Sequence, residues 1–535
     1  MTLDEEPPPI IETSNGLHHH RAMSSLDDFS VLALEHPAAA KGQTQESNLT
    51  QIEISTDNPL PKSALVIVTE TEKLNKDKDD VSATGSLVAS LSEIDFTFSK
   101  LKVREWDLTK QYSDFIKEGL EFNKVNIDGY TNVVMLFESP SSSMTADQSV
   151  FLNRGKFSRL LHKCFFGFGF GFNALSFCRT DKFRFHDWPP PKQSRAKSIL
   201  GPCKYSLMNG PTFPSFLREG TPPPGLMDHW AEAVPGIKMP RFVSKVIEND
   251  LVYAYLPVEQ IKNHVNDPNT HYHLAGKDAI HLMTQKTTRL LPDTLTVRPC
   301  VVKTTHSMGS KGIFIIRNDE DEKEFEQFLE ASGNPTFVVT DFVDIQRNVA
   351  CHFFMHPNGE EITWFGSNEN KRLPDGRFSS DSYLDLDDHI SLRRMQLPFV
   401  EEVVQYCKSL GFWGFCGIDV LFDSMGSGYL VDINPRVTGS CPALMTLQIF
   451  KKEFGFTKGY FRRTGDINFL GSSAELMKQV REYNSENEGK SRIVVHSMYE
   501  PAENHTRMNI GVYGKDMDEC KAALNRFAVP MPEEE

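Results

Sequence analysis

The sequence predicts a multidomain α+β protein, and three observations predict it. At 535 residues the chain is longer than one ordinary core organises, so about two to four domains are expected. The second half alternates strand-like apolar runs with amphipathic helical stretches, in an order suited to antiparallel sheets faced by helices. Finally, residues Gly417 to Arg436 read as a β-hairpin whose strands each carry an aspartate at the same level.

Composition narrows the function. A hydrophobic content of 39% and a charged content of 24% are those of a soluble globular chain. The net charge of −15 argues against a phosphate-backbone binder, so no nucleic-acid partner is expected. Nine cysteines are scattered singly from Cys164 to Cys520 without a Cys-x-x-Cys pair, which predicts reduced thiols and a cytoplasmic protein. The N-terminus is acidic and proline-rich where a secretory signal is basic and then apolar. The longest apolar run, Cys164 to Phe177, spans 14 glycine-interrupted residues, short of the roughly 20 of a membrane helix. No membrane association is expected, and the sequons at Asn48 and Asn504 read as chance matches.

Four segments are expected: a disordered tail over 1–60, an N-terminal domain over 61–270, a second domain over 271–460 and a small α+β subdomain over 461–535. The tail is rich in polar residues and proline and holds the tract His18-His19-His20, read as incidental. Ala64–Val68 suits a first strand and Lys73–Asp80 a solvated charge run. Helices are expected near 109–122 and 225–235 and a strand at Asn132–Phe137, with loops at the proline triplets 189–191 and 222–224. The run Phe165–Phe172 alternates Phe and Gly. As a strand it would separate the two onto opposite faces, and as a loop it would offer an aromatic surface; core packing is the preferred reading.

In the second half, strands are expected at Arg298–Lys303, Gly312–Arg317, Thr336–Val343, Val349–Met355 and Glu361–Gly366. A Pro-Asn-Gly turn at 357–359 joins the last two. Helices follow at Glu320–Ala331, at Ser391–Leu410 with an interruption at Pro398, and near Ala443–Phe454. The tail reads helix, strand (Ile493–Met498), strand (Met508–Tyr513), helix (Met517–Phe527), a small lid or a covering layer.

The chemistry gathers at the hairpin. Pairing Asp423 with Gly428 places Leu421 opposite Leu430 and Asp419 opposite Asp432. Like charges so opposed are destabilising unless compensated. Asn434 projects on the face of Asp432, so two carboxylates and an amide oxygen form a hard shell of the kind magnesium takes. Arg436 follows on that face for an anion. Were Asp432 and Asn434 mere turn residues, the opposed Asp419 would go unexplained. Upstream, a strand carrying Lys303 runs into Ser307, Met308, Gly309, Ser310, Lys311 and Gly312, a loop able to lay backbone amides on phosphate oxygens. It is no P-loop, because a strand rather than a helix follows. Histidines 264, 271, 273 and 281 lack a zinc spacing and, like His352 and His356, read as loop or core residues.

A strand lysine before a glycine loop, an extended segment ending in a hinge, and the closing Gly-Ile-Asp…Asp-Ile-Asn-Pro-Arg hairpin together resemble the ATP-grasp superfamily over roughly 270–455. The resemblance implies an ATP-grasp fold in which two α+β lobes grip a nucleotide, behind an N-terminal α/β pre-ATP-grasp domain and with a C-terminal α+β lid. It implies ATP and Mg²⁺ (or Mn²⁺) as cofactors, with Asp419, Asp432 and Asn434 as metal ligands. Arg436 then steadies the transferred phosphoryl group or acyl intermediate, and Lys303 and Lys277 reach the phosphates with Ser307, Gly309, Ser310 and Gly312. Asp341 and Val343 offer backbone groups to adenine, Asn348 is the polar candidate for the ribose, and a polar residue among Glu369–Lys371 would face the phosphates. The implied reaction is ATP-dependent carboxylate–amine ligation through an acyl phosphate, releasing ADP and phosphate. Its partners are a small-molecule carboxylate and an amine, amino acids among the candidates. A kinase of the same fold and a catalytically silent nucleotide-binding scaffold are the alternatives.

Overall fold

The computed structural model describes residues 101–137, 195–257, 261–306, 312–331, 336–372, 378–462, 467–527 and 529–530, all within the compact unit Ile94–Glu535. The readings made for the tail, the strand at 64–68, the Phe-Gly run, the first proline triplet and loop residues Ser307, Gly309, Ser310 and Lys311 fall outside the described residues.

The chain begins with β1 (Lys102–Glu105), α1 (Tyr112–Phe122), β2 (Val133–Leu136), α2 (Arg195–Ser206), β3 (Ser215–Phe216), α3 (Leu226–Ala233), β4 (Phe242–Val243) and β5 (Leu251–Ala254). Strands β2 to β5 form a wholly parallel sheet in the order β4-β3-β2-β5. Every residue of Val133–Leu136 and of Leu251–Ala254 is buried, as expected where both faces of a parallel sheet are covered. Helix α1 starts at a capping box between Gln111 and Asp114 and buries Tyr112, Phe115, Ile116 and Leu120. A Cβ at Gly119 would lie 2.1 Å from the Trp413 ring, so only glycine lets α1 approach that ring.

Next come α4 (Pro268–Leu274), α5 (Ile280–Met283), β6 (Cys300–Thr304), β7 (Ile313–Ile316), α6 (Asp319–Ala331) and β8 (Phe337–Asp341). Strands β6 to β8 form an antiparallel sheet ordered β7-β6-β8. Cys300, Val302, Ile316, Phe325 and Val339 fill its core. The acidic first turn of α6, Asp319 to Glu322, complements the helix dipole, and Arg298 pairs with both Asp319 and Glu322.

The remaining elements are β9 (Ile345–Met355), β10 (Glu361–Arg372), β11 (Phe378–Asp385), α7 (His389–Ser409), β12 (Gly414–Asp423), β13 (Gly428–Asn434), α8 (Cys441–Phe454), β14 (Lys458–Arg462), β15 (Ile467–Phe469), α9 (Ser473–Glu486), β16 (Ser491–Ala502), β17 (His505–Gly514), α10 (Met517–Phe527) and β18 (Val529–Pro530). They build one sheet ordered β13-β12-β9-β10-β11-β14-β17-β15-β18, with β1 joining β10 and β16 joining β17. The second-half strands pair antiparallel, as expected, while β1, from the first half, lies parallel to β10.

Helix α7 corrects a second expectation, because it runs unbroken through Pro398. A proline inside a helix costs roughly 3 kcal/mol locally, and α7 offsets this by burying Leu397, Phe399, Val400, Val403, Val404 and Cys407. The boundary expected at 460 falls inside β14, whose neighbours are β11 and β17. The outer edge of β16 is closed by α3. His229 Nε2 accepts the Val495 N–H at 2.9 Å and Trp230 Nε1 donates to the Val495 carbonyl at 3.0 Å, which satisfies backbone groups an open edge would expose.

Candidate functional site

Residues directly opposite on antiparallel strands share a face, and the register of the large sheet assembles one polar surface by this rule. Asn434 lies opposite Gly417, which lies opposite His352. Asp432 faces Asp419, then Ala350, then Asn368 on β10. Asn348 lies opposite Leu421. The intervening residues Val349, Cys351, Phe353, Ile418, Val420 and Ile433 belong to the apolar core beneath α7. The alternation of β9, Asn348-Val349-Ala350-Cys351-His352-Phe353, therefore divides core from site.

Asp419 and Asp432 are paired, but by a route that differs from simple register. Gly428 pairs with Phe422 rather than Asp423, so Leu421 lies opposite Tyr429 and Val420 opposite Leu430. A bulge then lies between Asp419 and Val420, where Val431 is the additional residue on β13. The cause lies in the loop: the Asp423 N–H donates to the Ser427 carbonyl at 3.1 Å and Gly426 takes φ +80, so the turn closes at Asp423 and Ser427, with Asp423 Oδ1 accepting from the N–H groups of Met425 and Ser427 at 2.9 and 2.8 Å. The bulge absorbs that one-residue shift and returns Asp432 to Asp419. Asn434 Nδ2 lies 3.4 Å from Asp419 Oδ2 and 3.5 Å from Asp432 Oδ2, so the two carboxylates converge on one point. Two carboxylates and an amide whose oxygen can be turned inward suit a magnesium ion completed by water and phosphate. Among the described residues no group of three His, Cys, Asp or Glu side chains is arranged to hold a metal.

Three cations border this point. Lys277, just beyond α4, is buried and donates to Asp432 Oδ1 at 2.9 Å. Its N–H donates to the Thr305 carbonyl at the end of β6, which ties the two segments together. Burial pushes the Lys303 ammonium on β6 down to about 8, helped by the neighbouring charge of Lys277 and opposed by Asp432. Arg436 Nη2 donates to Asn434 Oδ1 at 2.5 Å, and Nη1 donates to the Tyr255 hydroxyl. Gly312, at the far end of the loop, has φ +76 and approaches Thr304 so closely that a Cβ would lie 2.2 Å from its Oγ1.

A buried network underlies the segment after Arg436. His352 Nε2 donates to Asn368 Oδ1 at 2.7 Å, and its Nδ1 takes the Thr438 hydroxyl, the tautomer this pairing demands. Ser440 donates to Asn368 Oδ1 at 2.8 Å, and Asn368 Nδ2 donates to Asn370 Oδ1 at 3.0 Å. A Cβ at Gly417 would lie 2.4 Å from Thr438 Cγ2, so the close fit of this segment requires glycine there. Sequence reasoning missed Asn368 and the role of His352, and placed Asn370 only within the range Glu369–Lys371. The spacing of Asn368 and Asn370 two apart on a strand was the available signal.

Other expected contacts are redistributed. The Asp341 N–H is donated to the Arg289 carbonyl at 3.0 Å and its carboxylate forms a bidentate pair with Arg289 at 2.8 and 3.0 Å. The Asp341 N–H is thereby engaged, which leaves its carbonyl and the backbone of Val343, half-buried beyond the end of β8, as the hinge candidates. Asn348 is buried with its Oδ1 unpartnered. Glu369 turns to Arg347 at 2.9 Å, and Lys371 lies 3.8 Å from Asp381. The histidines are used singly: the His271 ring hydrogen-bonds the Pro435 carbonyl, His273 meets Tyr406 at 2.9 Å and His356 meets Thr363 at 2.9 Å. Burial holds His271 down to about 3. No helix among the described residues is long and apolar enough to cross a membrane.

Residues 281–434 match the family described as L-aspartate–L-methionine ligase, ATP grasp. No curated protein matches the chain. Among solved structures, N5-carboxyaminoimidazole synthetase from Staphylococcus aureus is similar at 14% identity and a TM-score of 0.40, over 61% of this chain and 95% of that one. A biotin carboxylase–β,γ-ATP complex from Campylobacter jejuni is similar at 12% identity and a TM-score of 0.35, over 51% and 70% of the two chains. An ADP complex of N5-carboxyaminoimidazole ribonucleotide synthetase is similar at 14% identity and a TM-score of 0.36, over 49% and 73%. At these TM-scores the likeness carries no weight in assigning function.

Proposed function

We propose, from the match of residues 281–434 to a family of ATP-grasp ligases, that the chain joins the carboxyl group of one amino acid to the amine of another. The family description names L-aspartate and L-methionine, and these are the substrates proposed here. The observation that carries the reading is the convergence of Asp419, Asp432 and Asn434 on one point beside the buried Lys277.

In this reading Asp419, Asp432 and Asn434 would hold Mg²⁺, which would supply positive charge to neutralise the transferred phosphate. Lys277 and Lys303 hold the phosphates by charge. Val343 meets the adenine and Asn348 the ribose. Phosphoryl transfer asks mainly for positioning and charge stabilisation, and a carboxylate substrate supplies the nucleophile. A carboxylate oxygen attacks the γ-phosphorus, ADP leaves, and Arg436 steadies the resulting acyl phosphate. The amine then attacks the acyl carbon, expels phosphate and loses a proton, giving the amide.

Measuring phosphate release from ATP with L-aspartate alone, L-methionine alone and both together tests this reading. Release that requires both, with a dipeptide detected by mass spectrometry, is expected. Phosphorylation of either amino acid without amide formation would replace the ligase reading with a kinase.

A further inference from the structure

Arg436 has a second attachment, to the N-terminal parallel sheet. Its guanidinium carbon lies 4.3 Å from the centre of the Tyr255 ring, and the Tyr255 hydroxyl accepts from Nη1. Tyr255 is buried and follows the last residue of β5, with its N–H donated to the Leu136 carbonyl of β2 at 2.7 Å. Its hydroxyl lies 3.1 Å from that of Tyr205, and the two rings lie 5.2 Å apart. Tyr205 lies 5.6 Å from Phe137 and carries Lys204 Nζ 4.7 Å from its ring centre. Two tyrosines thus lie between Lys204 and Arg436 at the carboxyl ends of β2 and β5, the end of a parallel sheet where ligands bind.

The arrangement restricts Arg436 more than a surface arginine is restricted. A guanidinium has five N–H donors; those of Arg436 make three bonds within the described chain, to Tyr255, Asn434 and the Val437 carbonyl. The remaining two are enough for a carboxylate. Asn434 fixes the guanidinium relative to the hairpin, and Tyr255 fixes it relative to the parallel sheet.

We propose that Tyr255 is a positioning residue for the transfer step: it turns Arg436 toward the carboxyl ends of β2 and β5, where the carboxyl-bearing amino acid is activated against the Tyr205–Tyr255 wall. The proposal rests on the ligase reading. It assigns the parallel sheet to the carboxylate substrate and leaves nucleotide binding to the other two sheets. Tyr255→Phe keeps the ring and removes the hydroxyl, whereas Tyr255→Leu removes both.

The test measures amino-acid-dependent phosphate release by the full chain with ATP, Mg²⁺, L-aspartate and L-methionine, alongside calorimetric ADP binding. Loss of a hydrogen bond to a charged group predicts a kcat about 10-fold lower in Tyr255→Phe, and loss of the ring as well predicts about 100-fold in Tyr255→Leu. The KM for ATP and the Kd for ADP stay within about 2-fold. A Tyr255→Phe chain with unchanged turnover, or one whose loss is matched by lost ADP affinity, overturns the proposal. Wild-type chain that releases no phosphate with these amino acids fails the ligase reading, and this proposal with it, whereas an active wild type with an unaffected Tyr255→Phe fails this proposal alone.

Discussion

Asp432 is the residue on which the site turns, because it faces Asp419 across the hairpin and takes the Lys277 ammonium on its other oxygen. Asp432→Asn keeps the shape and removes the charge, and should lower ATP-dependent phosphate release by about 100-fold or more, the scale of losing one group that stabilises developing charge. A rate within a few-fold of wild type would place the magnesium-phosphate site elsewhere. Gly417 sits at the same level as Asn434 and touches Thr438. Gly417→Ala forces a methyl group into the space of Thr438 Cγ2 and should destabilise the chain by about 1–3 kcal/mol, read as a lower urea midpoint. It should also slow turnover, because the displaced segment begins at Arg436.

Among the elements, the hairpin of β12 and β13 shows what sequence pattern can and cannot reach. Alternation and the turn signal led to the Asp419–Asp432 pair, yet the rungs assumed between turn and pair were shifted by one. Asp423 caps the loop with its side chain, and the bulge at Val431 cancels the shift; neither follows from apolar alternation, because both are set by local hydrogen bonds. Asp423→Ala should cost about 1 kcal/mol for the lost caps, measured by chemical unfolding. The continuity of α7 was misjudged for a related reason: propensity at Pro398 is local, whereas the apolar face burying Phe399 to Cys407 acts through the tertiary fold. The parts of the site drawn from distant segments, His352 with Thr438 and Tyr255 with Arg436, were illegible because their partners lie 86 and 181 positions apart.

Across the whole molecule, buried histidines bridge separate elements: His229 links α3 to β16, His496 links β16 to β17, and His271 links α4 to the segment after β13. Burial lowers His229, His271 and His496 from 6.5 to about 3, and His229 Nε2 must stay unprotonated to accept the Val495 N–H. Between these values the unfolded chain binds more protons than the folded one, so stability rises with pH across the window and is lost as pH falls below 6.5. The urea midpoint should drop steeply from about pH 7 to about pH 5, and His229→Gln should flatten that slope. The central claim remains chemical: a carboxylate is phosphorylated by ATP before an amine displaces the phosphate. The most direct measurement supplies amino acids whose carboxyl groups carry oxygen-18 and weighs the phosphate released by mass spectrometry. An acyl phosphate leaves one carboxyl oxygen on phosphorus, so labelled phosphate is predicted in step with amide formed. Amide formed with unlabelled phosphate, or phosphate released without amide, would contradict the account.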